Sequence, residues 1–337
     1  MSFLLELLRK LFGFGKRKTD PTPDPKPAPV VDDPNEPAQR TTNRVLLIVY
    51  NPVIDPESGQ KLSQLPGWND PDALVTAFCA DVVETSYGMG RYDIVERIEV
   101  NGFPILKDGF RYSPSLFLDV IEQQTPPHQP DQVDYQAIID EFDIAARVEN
   151  NQIDEVWVFA FPYGGFYESI MGGKDAFWCN APPLEDTQNI SRKFIMMGFS
   201  YERGVGEMFE SFCHRVESLM ERTFAKKYGN DNLWERFTRY DMKNPGQAEM
   251  GNVHFAPNSE RDYDWGNPKF VPSKCYDWYN FPNFTGDTRQ VNAGEWGNGD
   301  IRLHHLWWLK HIPHVAGRQN GIHNNWWQYI LDPNKIA

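Results

Sequence analysis

The chain has 337 residues, a formal charge of −14, and is 40% hydrophobic and 14% aromatic. That apolar stock can close a sizeable core, and the length fits one large domain or two. The acidity excludes a nucleic-acid partner, which needs clustered Lys and Arg to neutralise phosphate, and suits cationic ligands or metals.

The first predicted element, MSFLLELLRKLFGFGKRK at 1–18, carries five basic residues against Glu6 alone. Its charges interrupt the apolar stretch, and the basic cluster follows rather than precedes it, unlike a signal peptide. It is also too short to cross a bilayer. At helical spacing, Phe3, Leu4, Leu7, Leu8, Leu11 and Phe12 share one side. An amphipathic anchor is expected, holding either a membrane surface or a protein partner. Residues 19–43 hold seven prolines among many charges and read as an extended, disordered spacer. The remainder, 44–337, is read as a single globular domain.

RVLLIVYNPV at 44–53 is an unbroken apolar run, as expected of a strand buried on both faces. A helix follows at 70–88, opened by Asp70-Pro71, and then an alternating strand at 92–100. SPSLFLDVIEQQ and DYQAIIDEFDIAARVEN each read as one helix. Strands are expected at 153–162 and 192–200, and a long helix after the second. Strands alternating with helices imply crossovers, hence an α/β fold with a mainly parallel sheet and covering helices. Sites in such sheets form outside the carboxyl ends of the strands. No GxGxxG, GxxxxGK[ST] or GxSxG occurs, which removes the commonest nucleotide and nucleophile-elbow signatures.

From about 241 the periodicity fades into Asn-, Asp-, Gly- and Pro-rich sequence that is nonetheless aromatic. Seven of the eleven tryptophans lie after 260. An ordered, loop-rich half packed through aromatics is expected, closed by short helices in IRLHHLWWLKHI and NNWWQYIL.

The four cysteines, Cys79, Cys179, Cys213 and Cys275, are widely spaced and form no CxxC. A disulfide framework is not expected in so long a chain; free thiols suit a cytoplasmic location, peripheral on a membrane if the anchor binds one, with secretion left open.

GEMFESFCHRVESLMER at 206–222 carries the most specific chemical pattern. At about 100° per residue, Val205, Met208, Phe209, Phe212, Val216, Leu219 and Met220 form a core-facing stripe. Glu207, Glu210, His214, Glu217 and Glu221 form the opposite row. Such a row is either a solvated face or, if the following hundred residues fold onto it, a buried site needing a metal, a cationic ligand or shared protons. It holds no Lys or Arg to relieve its repulsion. His214-x-x-Glu217 projects an imidazole and a carboxylate together, a pair suited to zinc. With a distant histidine it resembles the ligand set of zinc carboxypeptidases, over those two residues; that family carries the pair on a loop after a strand, so no activity is transferred.

The expected ligands are His214 and Glu217, with His254 or His304 as the third. Glu210 is expected to act as general base, with Glu207 and Arg261 as further catalytic candidates. The loop GNVHFAPNSERDYDWG offers Asn258 and Asp262 for substrate, and NAGEWGNGD offers Glu295 and Trp296. The expected function is a zinc-dependent hydrolase of peptide or glycan. The rival is a non-catalytic scaffold or binding module that holds a protein or glycan through its aromatic loops.

Overall fold

In a computed structural model, the residues described are 32–336. The expected anchor at 1–18 and the first part of the spacer, 19–31, lie outside them. The first strand, β1 (Thr41–Tyr50), is followed by a small hairpin of β2 (Val53–Asp55) and β3 (Gln60–Lys61), helix α1 (Pro71–Thr85) and β4 (Gly90–Val100). Helices α2 (Pro114–Ile121), α3 (Tyr135–Glu141) and α4 (Ile144–Glu149) lead to β5 (Glu155–Ala160), β6 (Ser169–Gly172) and β7 (Phe194–Ser200).

These strands form a five-stranded sheet in the order β4-β1-β5-β7-β6. The β1–β4, β1–β5 and β5–β7 pairs are parallel, and β6 runs antiparallel at the edge. In register, Ile48 of β1 lies between Ile98 of β4 and Val158 of β5. Val45 to Tyr50 and all of β5 are buried, which is why both read as unbroken apolar runs. The class is therefore α/β with a mostly parallel sheet.

Three local readings change. The expected single helix over 134–150 breaks at Asp143, whose φ of 52° is left-handed, a conformation a short polar side chain tolerates. SIMG, where no element is expected between the strands at 153–162 and 192–200, is the edge strand β6. The spacer does not extend to 43. Strand β1 starts at Thr41, and residues 32–40 are bonded to a C-terminal hairpin of β10 (His314–Gln319) and β11 (Ile322–Asn325). The Asp32 carboxylate accepts from the N–H groups of Asn320 and Gly321, both at 2.8 Å. Glu36 pairs with Arg318 at 2.7 Å. Short polar residues between prolines find backbone partners here, so the proline content that suggested a spacer does not keep this stretch apart.

The long helix is α5 (Val205–Phe224), followed by α6 (Leu233–Phe237), the β8–β9 pair (Val271–Ser273 with Arg289–Val291), α7 (Ile301–Lys310) and α8 (Trp327–Leu331). Helix α5 sets its apolar stripe on the aromatic layer over the sheet, where Phe209 lies 4.6 Å from Phe78 of α1. Helix α7 meets its first turn so closely that a Cβ on Gly206 would fall 2.4 Å from Ile301. Trp265, Trp278, Trp296, Trp308, Trp326 and Trp327 are all buried in the second half. No helix among the described residues is long and apolar enough to cross a membrane.

Candidate metal centre and adjoining cavity

Helix α5 presents Glu210 and His214 one turn apart, on the row opposite its core stripe. The loop after α6 folds onto that row. Its anchors are the N–H of Val253, which donates to Glu217 Oε1 at 3.1 Å, and Trp308 Nε1, which donates to the carbonyl of Gly251 at 3.1 Å. The row is thus covered along its middle, leaving Glu221 exposed at its end.

The covering loop brings His254 to the helix. His214 Nε2 and His254 Nε2 lie 3.0 Å apart, and His254 Nε2 lies 3.5 Å from Glu210 Oε1. One donor atom from each of Glu210, His214 and His254 falls within 4.8 Å of the others. Zinc bonds of about 2.0–2.1 Å at tetrahedral angles separate two nitrogens by roughly 3.3 Å, so the set needs only a small expansion to hold an ion.

Both imidazoles are turned inward by carboxylates behind them. His214 Nδ1 is 3.2 Å from Glu217 Oε2, and His254 Nδ1 is 3.1 Å from Asp262 Oδ1. A carboxylate on Nδ1 places the proton there and frees Nε2 as a ligand. Tyr263 packs on His254 at 4.4 Å between ring centres, with its hydroxyl toward Glu210.

The electrostatics follow. Burial works to lower the His214 pKa, but the Glu217 hydrogen bond and the surrounding carboxylates raise it. The His254 pKa is raised chiefly by Glu210, against burial. Burial of Glu210 would raise its pKa, yet hydrogen bonds from His254 and Tyr263 bring it below the usual range. The Tyr263 phenol is pushed up to about 12 by burial and by Glu210.

A cavity of about 250 Å³ opens beside this cluster, outside the carboxyl ends of β5 and β7. Glu168, Glu207 and Glu210 line it, with Phe161, Phe166 and Met208 among its apolar walls. Its shape depends on two glycines. Gly165 has φ of 80°, and a Cβ there would meet the carbonyl oxygen of Asp131 at 2.1 Å. Gly198 of β7 lets the 161–168 loop cross the strand, since its Cβ would lie 2.5 Å from the Tyr167 carbonyl.

The expected site residues separate into two groups. Glu210, His214 and His254 converge; Glu217 and Asp262 stand behind the histidines; Glu207 lines the cavity. Glu217, expected as a ligand, has one oxygen on His214 and the other on the Val253 N–H, so it orients rather than joins the donor set. His304 is elsewhere. It is fully buried, stacked 5.0 Å from Trp265, and burial drives its pKa well below the ordinary histidine value. Asn258 is buried and donates to the carbonyls of Asn267 and Lys269, a loop-closing role. Trp296 is core, with Nε1 donating to the Trp265 carbonyl at 2.8 Å. Glu295 accepts from the Tyr276 hydroxyl, and Arg261 is largely exposed beside Asp264. None of these five joins the donor set, because turn formation and aromatic packing occupy them. Tyr263 is suited from sequence to ligand recognition but not to a contact with Glu210, and Glu168 was not singled out; nothing in the local spelling FYESIM marks a carboxylate that becomes a cavity wall.

No family model, no curated protein and no solved structure matches the chain.

Proposed function

We propose that this protein is a zinc-dependent hydrolase of peptide substrates, with glycan as the other substrate class. The observation that carries the reading is the pair of inward-facing Nε2 atoms 3.0 Å apart, each imidazole backed by its own carboxylate. Two imidazoles and one carboxylate, Glu210, make three protein ligands and leave a fourth position for water, the pattern of catalytic rather than structural zinc. Bound zinc lowers the pKa of that water toward neutrality. With Glu210 among the ligands, the general base is reassigned to Glu168, which lines the same cavity and is held by Asn180 Nδ2 at 2.6 Å. The Tyr263 hydroxyl, directed toward Glu210, would supply a hydrogen-bond donor beside developing negative charge.

Metal analysis of the purified chain tests this. About one zinc per chain is expected, lost in both His214→Ala and His254→Ala, with peptidase activity that disappears on chelation and returns with zinc. A chain that takes up no zinc at micromolar concentration would leave the non-catalytic binding module as the standing description.

A further inference from the structure

We infer, building on the hydrolase reading, that the cavity beside the donor set is a specificity pocket for an ammonium or guanidinium group on the residue next to the scissile bond. The argument is one of charge. Zinc would be offset by Glu210 as ligand and Glu168 as base. Glu207 is the carboxylate left over, and it lines the same cavity. Its Oε2 accepts from the Gly204 N–H at 3.1 Å, and among the described residues its other oxygen has no hydrogen-bonding partner. Arg203 is the one cation among the described residues that line the cavity. It is largely exposed and lies 3.7 Å from Glu202, so it does not answer the charge of Glu207.

A half-buried carboxylate that no cationic side chain among the described residues pairs with favours a cationic occupant, because low dielectric strengthens the attraction. The rest of the wall suits such a group. Phe161, Phe166, Phe199 and Met208 offer apolar and aromatic surface to the aliphatic stem of Lys or Arg. The spacing suits one residue. Glu207 precedes Glu210 by three positions on α5, a rise of about 4.5 Å, so a charge at Glu207 and a carbonyl at the metal belong to the same or adjacent residues. The free α-ammonium of a peptide and a basic side chain share this chemistry.

The test uses the full chain with zinc content verified. Titration calorimetry with Nα-acetyl-argininamide, alaninamide and Nα-acetyl-norleucinamide separates side-chain cation, α-ammonium and apolar stem. Tighter binding of either cation than of the neutral probe is expected. Glu207→Gln keeps the acceptor for Gly204 but removes the charge, and should weaken the cation by about 10- to 100-fold, the size of a charge-assisted hydrogen bond. Glu207→Lys should reverse the preference. Equal binding of the three probes, or a Glu207→Gln variant that binds the cation as well as wild type at unchanged zinc content, overturns the pocket. Cation binding without cleavage of any Arg- or Lys-containing peptide keeps the pocket and removes the hydrolase. Cleavage indifferent to charge does the opposite.

Discussion

Asp262 tests whether the carboxylates behind the histidines have a role in metal binding. It is more than half exposed, so it adds little to folding, and its one notable contact is His254 Nδ1 at 3.1 Å. In Asp262→Asn the imidazole keeps its place but loses the charge behind it, and an amide that can turn either its oxygen or its NH2 to Nδ1 no longer fixes the tautomer. Zinc affinity is expected to fall by about 10- to 100-fold, read by competition with a chromophoric chelator, while the melting temperature of the metal-free protein barely moves. Unchanged affinity would mean that Asp262 is only a loop neighbour. Acid should act in the same direction. The carboxylates raise both histidine pKa values, so protons compete with zinc as pH falls, and affinity should drop by up to about tenfold per pH unit for each proton displaced. At this scale the helical residues were legible, because Glu210 and His214 are locked together by the 3.6-residue period alone. Glu168 was not, and Asp262 was legible only as a substrate contact, not as the partner of His254. Their roles depend on where an irregular loop and a strand–loop junction come to rest, and no periodicity encodes that.

Asp154 holds the amino-terminal ends of three adjacent strands. It lies just before β5, accepts from Arg44 of β1 through Nε and Nη2 at 2.8 Å each, and accepts from Arg192, just before β7, at 2.8 Å. Burial acts to raise its pKa, and the two guanidiniums outweigh it, bringing it to about 2. A folded-state pKa below the unfolded value adds stability that is present above the ordinary Asp range and lost as pH falls toward 2. Asp154→Asn is therefore expected to cost on the order of 1–2 kcal/mol at pH 7, a figure discounted for the partly exposed arginines. In urea titrations the gap from wild type should narrow steadily below pH 4 and close near pH 2. A gap independent of pH would assign the loss to packing. The central strands tied here were readable because burial on both faces leaves only apolar residues in them. The edge strand β6 was not readable, since four residues between glycine pairs carry no period. The β10–β11 hairpin was missed for a related reason: its inner side is polar, with His323, Asn324 and Asn325 buried through hydrogen bonds rather than apolar contact.

The molecule as a whole is joined through Arg215, which points from α5 into the core rather than to solvent. Its guanidinium is fully buried and bidentate to Glu155 at the start of β5, at 2.7 and 2.5 Å. It also donates to the carbonyls of Ile330 and Leu331 at the end of α8. Glu155 in turn accepts from Asn43 of β1 and Trp157 of β5. One ion pair therefore links the sheet, the helix that carries Glu210 and His214, and the carboxyl-terminal segment. Removing one partner strands a buried charge, so Glu155→Gln and Arg215→Met should each cost about 3–5 kcal/mol in chemical denaturation. Replacing both by apolar residues is often neutral for an isolated buried pair. Here it should not be. The double variant Glu155→Leu/Arg215→Met would leave Trp157 Nε1 without its acceptor and the Ile330 carbonyl without its donor. A residual loss of about 1–3 kcal/mol for each bare group is expected. That loss should appear locally as faster amide exchange through 327–336, with exchange at the sheet centre changing only as global stability does. A double variant as stable as wild type, with an undisturbed carboxyl-terminal segment, would show that aromatic packing alone docks α8 and that the pair serves only to neutralise itself.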